Sequence, residues 1–319
     1  MPLAHRSRAF ALAALVAAAP AAAEVALAPQ TIKEDTPRLV VDITYPQTGN
    51  AAIDADLKKW AEGLVSEMRA MSAEDDTPER PPYSVELSYD APRNDGEMLV
   101  LSFAVSTYAG GAHGFTQPVT YNYLMPDGYQ VELIDIVGVP GIAKISEIAT
   151  ADLLQQLGGP DAMSDEEWIR RGSGPAEENF DAFEWRADSL LITFAPYQVA
   201  AYAAGPQEVS IPLAQLADVI RPDWRAPQPS FDCAKAGTAV EKSICGDVAL
   251  ARLDRKLARA YRATLAGAYE EPKQKEIRDA QRAWLKSRTG ACGAEKDAAL
   301  VKCLSDLYVK RIRALSATP

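Results

Sequence analysis

Two groups of side chains in this 319-residue sequence have the types and spacing for chemistry. The first is a histidine framed by glycines, Gly110-Gly111-Ala112-His113-Gly114, directly after the run Leu101 to Tyr108. A glycine turn presents an imidazole together with backbone amides, because glycine accepts the positive φ that tight turns demand. Either the glycines serve the turn alone and His113 bonds locally, or Tyr108, Gly110, Gly111, His113 and Gly114 form a loop that meets a partner. Tyr197 and Tyr202, close to Pro196, carry the same two readings: rings that pack, or rings whose faces receive a sugar. The second group is Cys233, Cys245, Cys292 and Cys303, all in the last third of the chain. An even cysteine count in an exported chain favours two disulfides, and zinc is disfavoured because there is no C-x-x-C knuckle and no nearby histidine. Four cysteines allow three connectivities. Pairs close in the chain and flanking helix boundaries predict Cys233 with Cys245 and Cys292 with Cys303.

Catalytic constellations are absent from the sequence. The other histidine, His5, lies in a segment that reads as a cleaved signal, which leaves no two-histidine zinc site and no H-E-x-x-H helix. There is no G-x-S-x-G nucleophile elbow, since Gly172-Ser173-Gly174 lacks the first glycine in register, and no phosphate-cradling G-x-x-x-x-G-K-[ST] loop. The expectation is a non-enzymatic protein with no catalytic residues, no metal and no cofactor.

The signal reading rests on Arg6 and Arg8, the short apolar run Phe10 to Ala19, and Ala21-Ala22-Ala23 before Glu24. It predicts cleavage after residue 23 and a periplasmic or secreted mature chain. No cysteine near the cleavage site offers a lipid anchor, and no later stretch has the length and apolarity to span a bilayer.

The net charge of −11 hides a division. Residues 231–319 carry 18 Lys and Arg against 11 Asp and Glu, a balance of +7, whereas residues 24–230 carry 13 against 33, a balance of −20. The split points to two domains with different electrostatic partners, or to an acidic surface that serves solubility. The acid runs Glu74-Asp75-Asp76 and Asp165-Glu166-Glu167 would steer a basic partner, and the second also suits a helix start.

Stepping along the chain, Arg38 to Tyr45 reads as a strand. Asn50 caps a helix whose stripe is Ile53, Leu57, Trp60, Leu64, Val65 and Met68, and Glu74 to Pro82 reads as a loop. Tyr83 to Tyr89 and Glu97 to Tyr108 pair around Asn94-Asp95-Gly96, and Phe115 to Leu124 and Tyr129 to Leu133 around Pro126-Asp127-Gly128. Ile142 to Leu157 is helical in period and ends at Gly158-Gly159-Pro160; a short helix follows at Glu166 to Arg171. Leu190 to Phe194 and Glu208 to Ile211 read as strands and Leu213 to Ile220 as a helix. The predicted fold class is α+β, an antiparallel sheet with helices on one face, followed by a small disulfide-stapled all-α domain. The predicted boundaries are a signal at 1–23, the α+β domain at 24–220, a Pro-rich linker at 221–230 and the helical domain at 231–319. In the tail, Asp247 caps a helix striped by Leu250, Leu253, Leu257, Ala260, Tyr261 and Leu265. Pro272 opens a second with Ile277, Ala280, Trp284 and Leu285 inward, and a third starts near Ala298.

Phe231-Asp232-Cys233-Ala234-Lys235-Ala236, Val240 to Cys245, Leu253-Asp254-Arg255-Lys256-Leu257, Gln281-Arg282-Ala283-Trp284-Leu285 and Asp306-Leu307-Tyr308 resemble the lysozyme-inhibitor LprI-like family. That resemblance implies a small secreted or lipid-anchored helical module whose founding activity is lysozyme binding. Leu101 to Gly114, Leu133 to Ile136, Ile192 to Gly205 and Glu208 to Pro212 resemble the paired α/β domains of RsiV-type anti-sigma factors and PdaC-type deacetylases. This second resemblance implies recognition of lysozyme or envelope glycan with no chemistry of its own. Two functions follow as expectations: binding and inhibition of a lysozyme-type muramidase, or a module that holds peptidoglycan or another envelope glycan. Neither involves nucleic acid or membrane insertion.

Overall fold

The computed structural model describes residues 23–74, 81–158, 164–226, 228–268 and 270–316. The signal reading, most of the loop after Glu74, the Gly159-Pro160 stop and Pro227 of the linker lie outside the described residues.

A six-stranded sheet runs in chain order: β1 (Ala28–Asp35), β2 (Leu39–Gln47), β3 (Tyr83–Asn94), β4 (Met98–Tyr108), β5 (Phe115–Leu124) and β6 (Tyr129–Val131). Neighbours are antiparallel except β2 and β3, which are parallel and joined through helix α1 (Ala51–Glu74). Such a pair needs a crossover, and α1 supplies it. The β3–β4 hairpin turns at Gly96, φ +77°, while the Asp95 carboxylate accepts from the Glu97 and Met98 amides. Along β4, Leu99, Leu101 and Phe103 face one core while Met98 and Val100 face another. Alternate side chains leave opposite faces of a strand, so both faces of this sheet require cover.

On one face lies α1, burying Ile53, Leu57, Ala61, Val65 and Met68. Its start is set by Asn50, whose Oδ1 accepts from the amides of Ala52 and Ile53. The Asn50 Nδ2 donates to Pro126 O at 3.0 Å, pinning the helix to the β5–β6 turn. Asn50→Ala is expected to lower the unfolding free energy by about 1–2 kcal/mol in urea titration. Asn50→Asp, which keeps the cap but not the donor to Pro126, should fall between the two.

On the other face lie α2 (Leu133–Leu157), α3 (Glu166–Gly172) and a three-stranded antiparallel sheet of β7 (Phe183–Trp185), β8 (Ser189–Phe194) and β9 (Gln207–Pro212). The α+β class stands, but helices cover both faces and one strand pair is parallel, because β4 and its neighbours are apolar on both sides. Leu133 begins α2 rather than ending a strand; Gly138 at φ +65° and Pro140 break the helix near its start, which hides its first turn from periodicity. Leu213 to Ile220 holds only a 3-10 turn at Leu213–Leu216, since the chain is drawn back where the Arg221 amide donates to Ile136 O, just before Pro222. β1 carries no buried side chain and β7 has three residues, so neither had a readable pattern.

The tail is helical: α4 (Ala239–Gly246), α5 (Val248–Ala266), α6 (Glu271–Cys292) and α7 (Asp297–Ser316). Thr238 and Glu241 form a capping box at α4, and Asp247 caps α5. Disulfides join Cys233 to Cys245 and Cys292 to Cys303, the pairing read from chain proximity. Ala280 and Leu285 are exposed rather than inward; α6 buries Ile277, Arg288 and Cys292, with Trp284 partly covered. Arg288 holds the inner position because its charge is answered there: Nη1 donates to Tyr308 Oη, which donates to Asp254 Oδ1, both at 2.5 Å. Asp254 Oδ2 accepts from the amide and hydroxyl of Ser230, at 2.7 and 2.6 Å, which ties the end of the linker into the tail.

Candidate binding site

The glycine loop joins β4 to β5, and its conformation explains two of its glycines. Gly110 has φ +83°, and a Cβ on Gly114 would stand 3.1 Å from Thr107 O. Gly111 shows neither constraint. Tyr108 remains in the β4 ladder opposite Ser84.

Three of the singled-out side chains converge. The His113 and Tyr202 rings stack with centroids 3.9 Å apart and planes at 22°, and Tyr197 lies 5.6 Å from Tyr202. Gly114 O accepts from Tyr202 Oη at 2.8 Å and contacts His113 Nδ1 at 2.8 Å. A carbonyl only accepts, so Nδ1 donates to it, and Nε2 faces Tyr197 Oη 3.4 Å away. His113 and Tyr197 are exposed, and Tyr202 is half-buried.

The chain around Tyr197 is held against its own preference. Tyr197 sits at φ +68°, a left-handed conformation that is unfavourable for a side-chain-bearing residue by about 1 kcal/mol or more. Trp168 of α3 donates through Nε1 to Tyr197 O at 3.0 Å. Gln198 Nε2 donates to Gly172 O and Asn179 O, and its Oε1 accepts from the Ala195 amide. Trp168, Asn179 and Gln198 are therefore the positioning residues that sequence reading missed; no spacing signals them, because their partners are set by tertiary packing. Tyr202→Phe removes the bond to Gly114 O but keeps the stacked ring. It is expected to lower stability by about 1 kcal/mol and to speed amide exchange at residues 110–114.

The run Asp165-Glu166-Glu167 finds a local use. Asp165 Oδ1 accepts from the Trp168 amide and Glu166 pairs with Arg170, the helix-start arrangement. Asp75 and Asp76 lie outside the described residues.

The charge division is met inside the chain. Along α5, Arg252 pairs with Asp127 at 2.6 Å, Arg255 with Asp135 at 2.5 Å and Lys256 with Asp56 at 3.0 Å. Arg262 reaches Glu132 at 2.8 Å and Glu177 at 3.3 Å. Part of the tail's basic helix and part of the body's acidic edge are thus partners of each other, which the two totals alone did not show. Burial pushes the Asp135 carboxyl up, against the pull of Arg255. At Asp127 this seam lies beyond the end of β5, whereas His113 precedes its start, ten strand residues of about 3.3 Å each away; at Glu177 it comes within two residues of Asn179, which accepts from Gln198. No helix among the described residues is long and apolar enough to cross a membrane.

Comparison with known proteins divides the chain in three. Residues 32–116 match the Deacetylase PdaC family, residues 135–214 match a family of unknown function, DUF3298, and residues 232–315 match Lysozyme inhibitor LprI. The chain is 28% identical over 187 residues to the peptidoglycan-N-acetylmuramic acid deacetylase PdaC of Bacillus subtilis, across 57% of this chain and 39% of that protein. The match thus spans well under half of that relative. Crystal structures of DUF3298 proteins from Pseudomonas aeruginosa and Bacteroides fragilis are similar at TM-scores of 0.46 and 0.45, with 14% and 18% identity. They cover 64% and 62% of this chain and 97% and 95% of their own. His113 falls in the PdaC-type stretch and Tyr197 and Tyr202 in the DUF3298 stretch, so the aromatic cluster joins the two. In chain order, the segments match the PdaC, DUF3298 and LprI family models.

Proposed function

We propose that the mature protein binds a lysozyme-type muramidase outside the cytoplasm and blocks it by occupancy, without turnover. The observation that carries this reading is the His113–Tyr197–Tyr202 cluster, an exposed aromatic ledge on the acidic body. Backbone strain such as that at Tyr197 concentrates at functional surfaces. A body balance of −20 draws a cationic muramidase toward it by long-range attraction. The LprI-type domain supports the same partner. Two disulfides suit an oxidising compartment, with the periplasm as the proposed site of action. The binding surface is assigned to the body, because the tail's balance of +7 repels a cationic enzyme.

The test is a cell-wall turbidity assay with a cationic lysozyme and the mature chain. Inhibition is expected to be stoichiometric and to associate more slowly as salt shortens the Debye length below ~10 Å. Tyr197→Ala should weaken binding about tenfold, equivalent to about 1.4 kcal/mol, at unchanged melting temperature, and His113→Ala about as much with a small fall in melting temperature from the lost stack on Tyr202. Absence of inhibition at large molar excess would remove the reading.

A second reading is a module that holds peptidoglycan or another envelope glycan. It is favoured by the PdaC-type segment and by stacked rings of the kind that receive a sugar face. Retention of the mature chain on insoluble peptidoglycan, lost in Tyr197→Ala, with no effect on lysozyme, would select it.

A further inference from the structure

Among the described residues, no apolar cluster spans the tail and the body. Among the described residues the tail's cluster runs from Phe231 to Leu315, while the two body clusters contain nothing beyond Trp224. Charge joins them instead, through Arg252, Arg255, Lys256 and Arg262 of α5 against Asp56, Asp127, Glu132, Asp135 and Glu177. The centre of this seam is buried: the Arg255 and Asp135 side chains are 9% and 5% exposed. Its rim is wet, with Arg252, Lys256 and Arg262 side chains 33%, 48% and 40% exposed.

Within the buried centre, hydrogen bonding is incomplete. Tyr129 Oη, Arg252 Nε and Arg255 Nε are shielded from solvent without a hydrogen-bond partner, and Glu132 Oε2 and Asp135 Oδ1 are met only by the Arg255 guanidinium, at 4.0 and 2.5 Å. A buried polar network with unsatisfied members adds little net stability, and rim ion pairs are weakened by salt. An interface meant to be permanent would bury a large apolar surface; here no apolar cluster among the described residues spans tail and body.

We propose that the seam is a releasable clasp: α5 occupies, from within the same chain, a docking surface on the body for an arginine- or lysine-rich segment of a partner protein, which displaces the tail. The patch already holds a basic helix, so the chemistry of its occupant is on display. A polyanion competing for α5 is disfavoured, because the chain as a whole is acidic and would repel it. The clasp and the His113 cluster share no residue, and the test is read at Lys256 and Asp56, so this proposal goes beyond the muramidase reading and stands or fails separately from it.

Zero-length carbodiimide cross-linking of the full mature chain tests the clasp, with mass spectrometry of the Lys256–Asp56 product. The Lys302–Asp306 pair within α7, 2.7 Å apart, is the internal reference. The competitor is an oligo-arginine peptide capped at both ends, whose guanidinium groups do not react. The peptide is expected to reduce the Lys256–Asp56 product several-fold relative to the reference. An unchanged ratio at saturating peptide overturns the proposal. A second measurement compares Arg252→Glu/Arg262→Glu with Lys286→Glu/Lys310→Glu, which has the same net charge but leaves the seam intact. The seam variant should bind the peptide about tenfold more tightly than the control, as removal of an intramolecular competitor requires. Equal affinities would show that α5 covers nothing the peptide uses, and would overturn the proposal as well.

Discussion

Asp254→Ala is expected to lower the stability of the tail by about 3–5 kcal/mol, the range for removing one member of a buried ionic group. Asp254 is 5% exposed and Arg288 is 7% exposed, with Tyr308 fully buried between them. The carboxylate accepts from Tyr308 Oη, from the Ser230 amide and from the Ser230 hydroxyl, and it is the negative charge facing Arg288. Without it, a guanidinium stays in the core with a neutral phenol as its neighbour, and the Ser230 amide loses its acceptor. Burial and the Asp254 charge both push the Tyr308 hydroxyl up, so it stays protonated and donates to the carboxylate. Paired apolar replacement, Asp254→Leu/Arg288→Met, should recover part of the loss, because it removes both charges together but leaves Tyr308 Oη and the Ser230 amide without these partners. The measurement is a double-mutant cycle in urea, followed by circular dichroism. A single-variant loss below 1 kcal/mol would mean that the two side chains are solvated in the folded tail.

Loss of the Cys292–Cys303 bridge is the second large effect. Cys292 is fully buried in the tail's apolar cluster, and the bridge joins the end of α6 to α7 across a sequence separation of 11. Closing a loop of that length in the unfolded chain is worth about 3 kcal/mol. The tail's core is small, so this is a large share of its stability. Cys292→Ser/Cys303→Ser is therefore expected to move the urea midpoint of the tail markedly while leaving the body transition in place. The bridge at Cys233 and Cys245 fastens the 3-10 turn Cys233–Lys235 to α4 and lies nearer the edge, so its removal should cost less. Equal effects from the two bridges would show that loop closure alone, and not the burial of Cys292, sets the loss.

Features governed by neighbours in the chain were legible from the residues themselves. The stripe Ile53, Leu57, Val65 and Met68 made α1, Asn50 started it, and Gly96 set the β3–β4 hairpin. The disulfide pairing was legible for the same reason, since short separations favour local closure. Periodicity failed where an element is interrupted or exposed: at Gly138 and Pro140 in α2, along β1, and in α6, where Arg288 takes an inner position that hydropathy assigns to Leu285.

His113, Tyr197 and Tyr202 were each identified as candidates, yet nothing in the spacing said that they meet. His113 and Tyr197 are 84 positions apart, and their contact depends on how the second sheet and α3 pack against the first. The charge division was plain in the sequence as a pair of totals. Only the fold decided that Arg252, Arg255, Lys256 and Arg262 answer the body's own carboxylates. Helical period and turn chemistry act over a few residues and leave their mark in the local pattern. Ion pairing and ring stacking between distant segments depend on which surfaces the packed layers bring together, and one chain's composition carries no record of that.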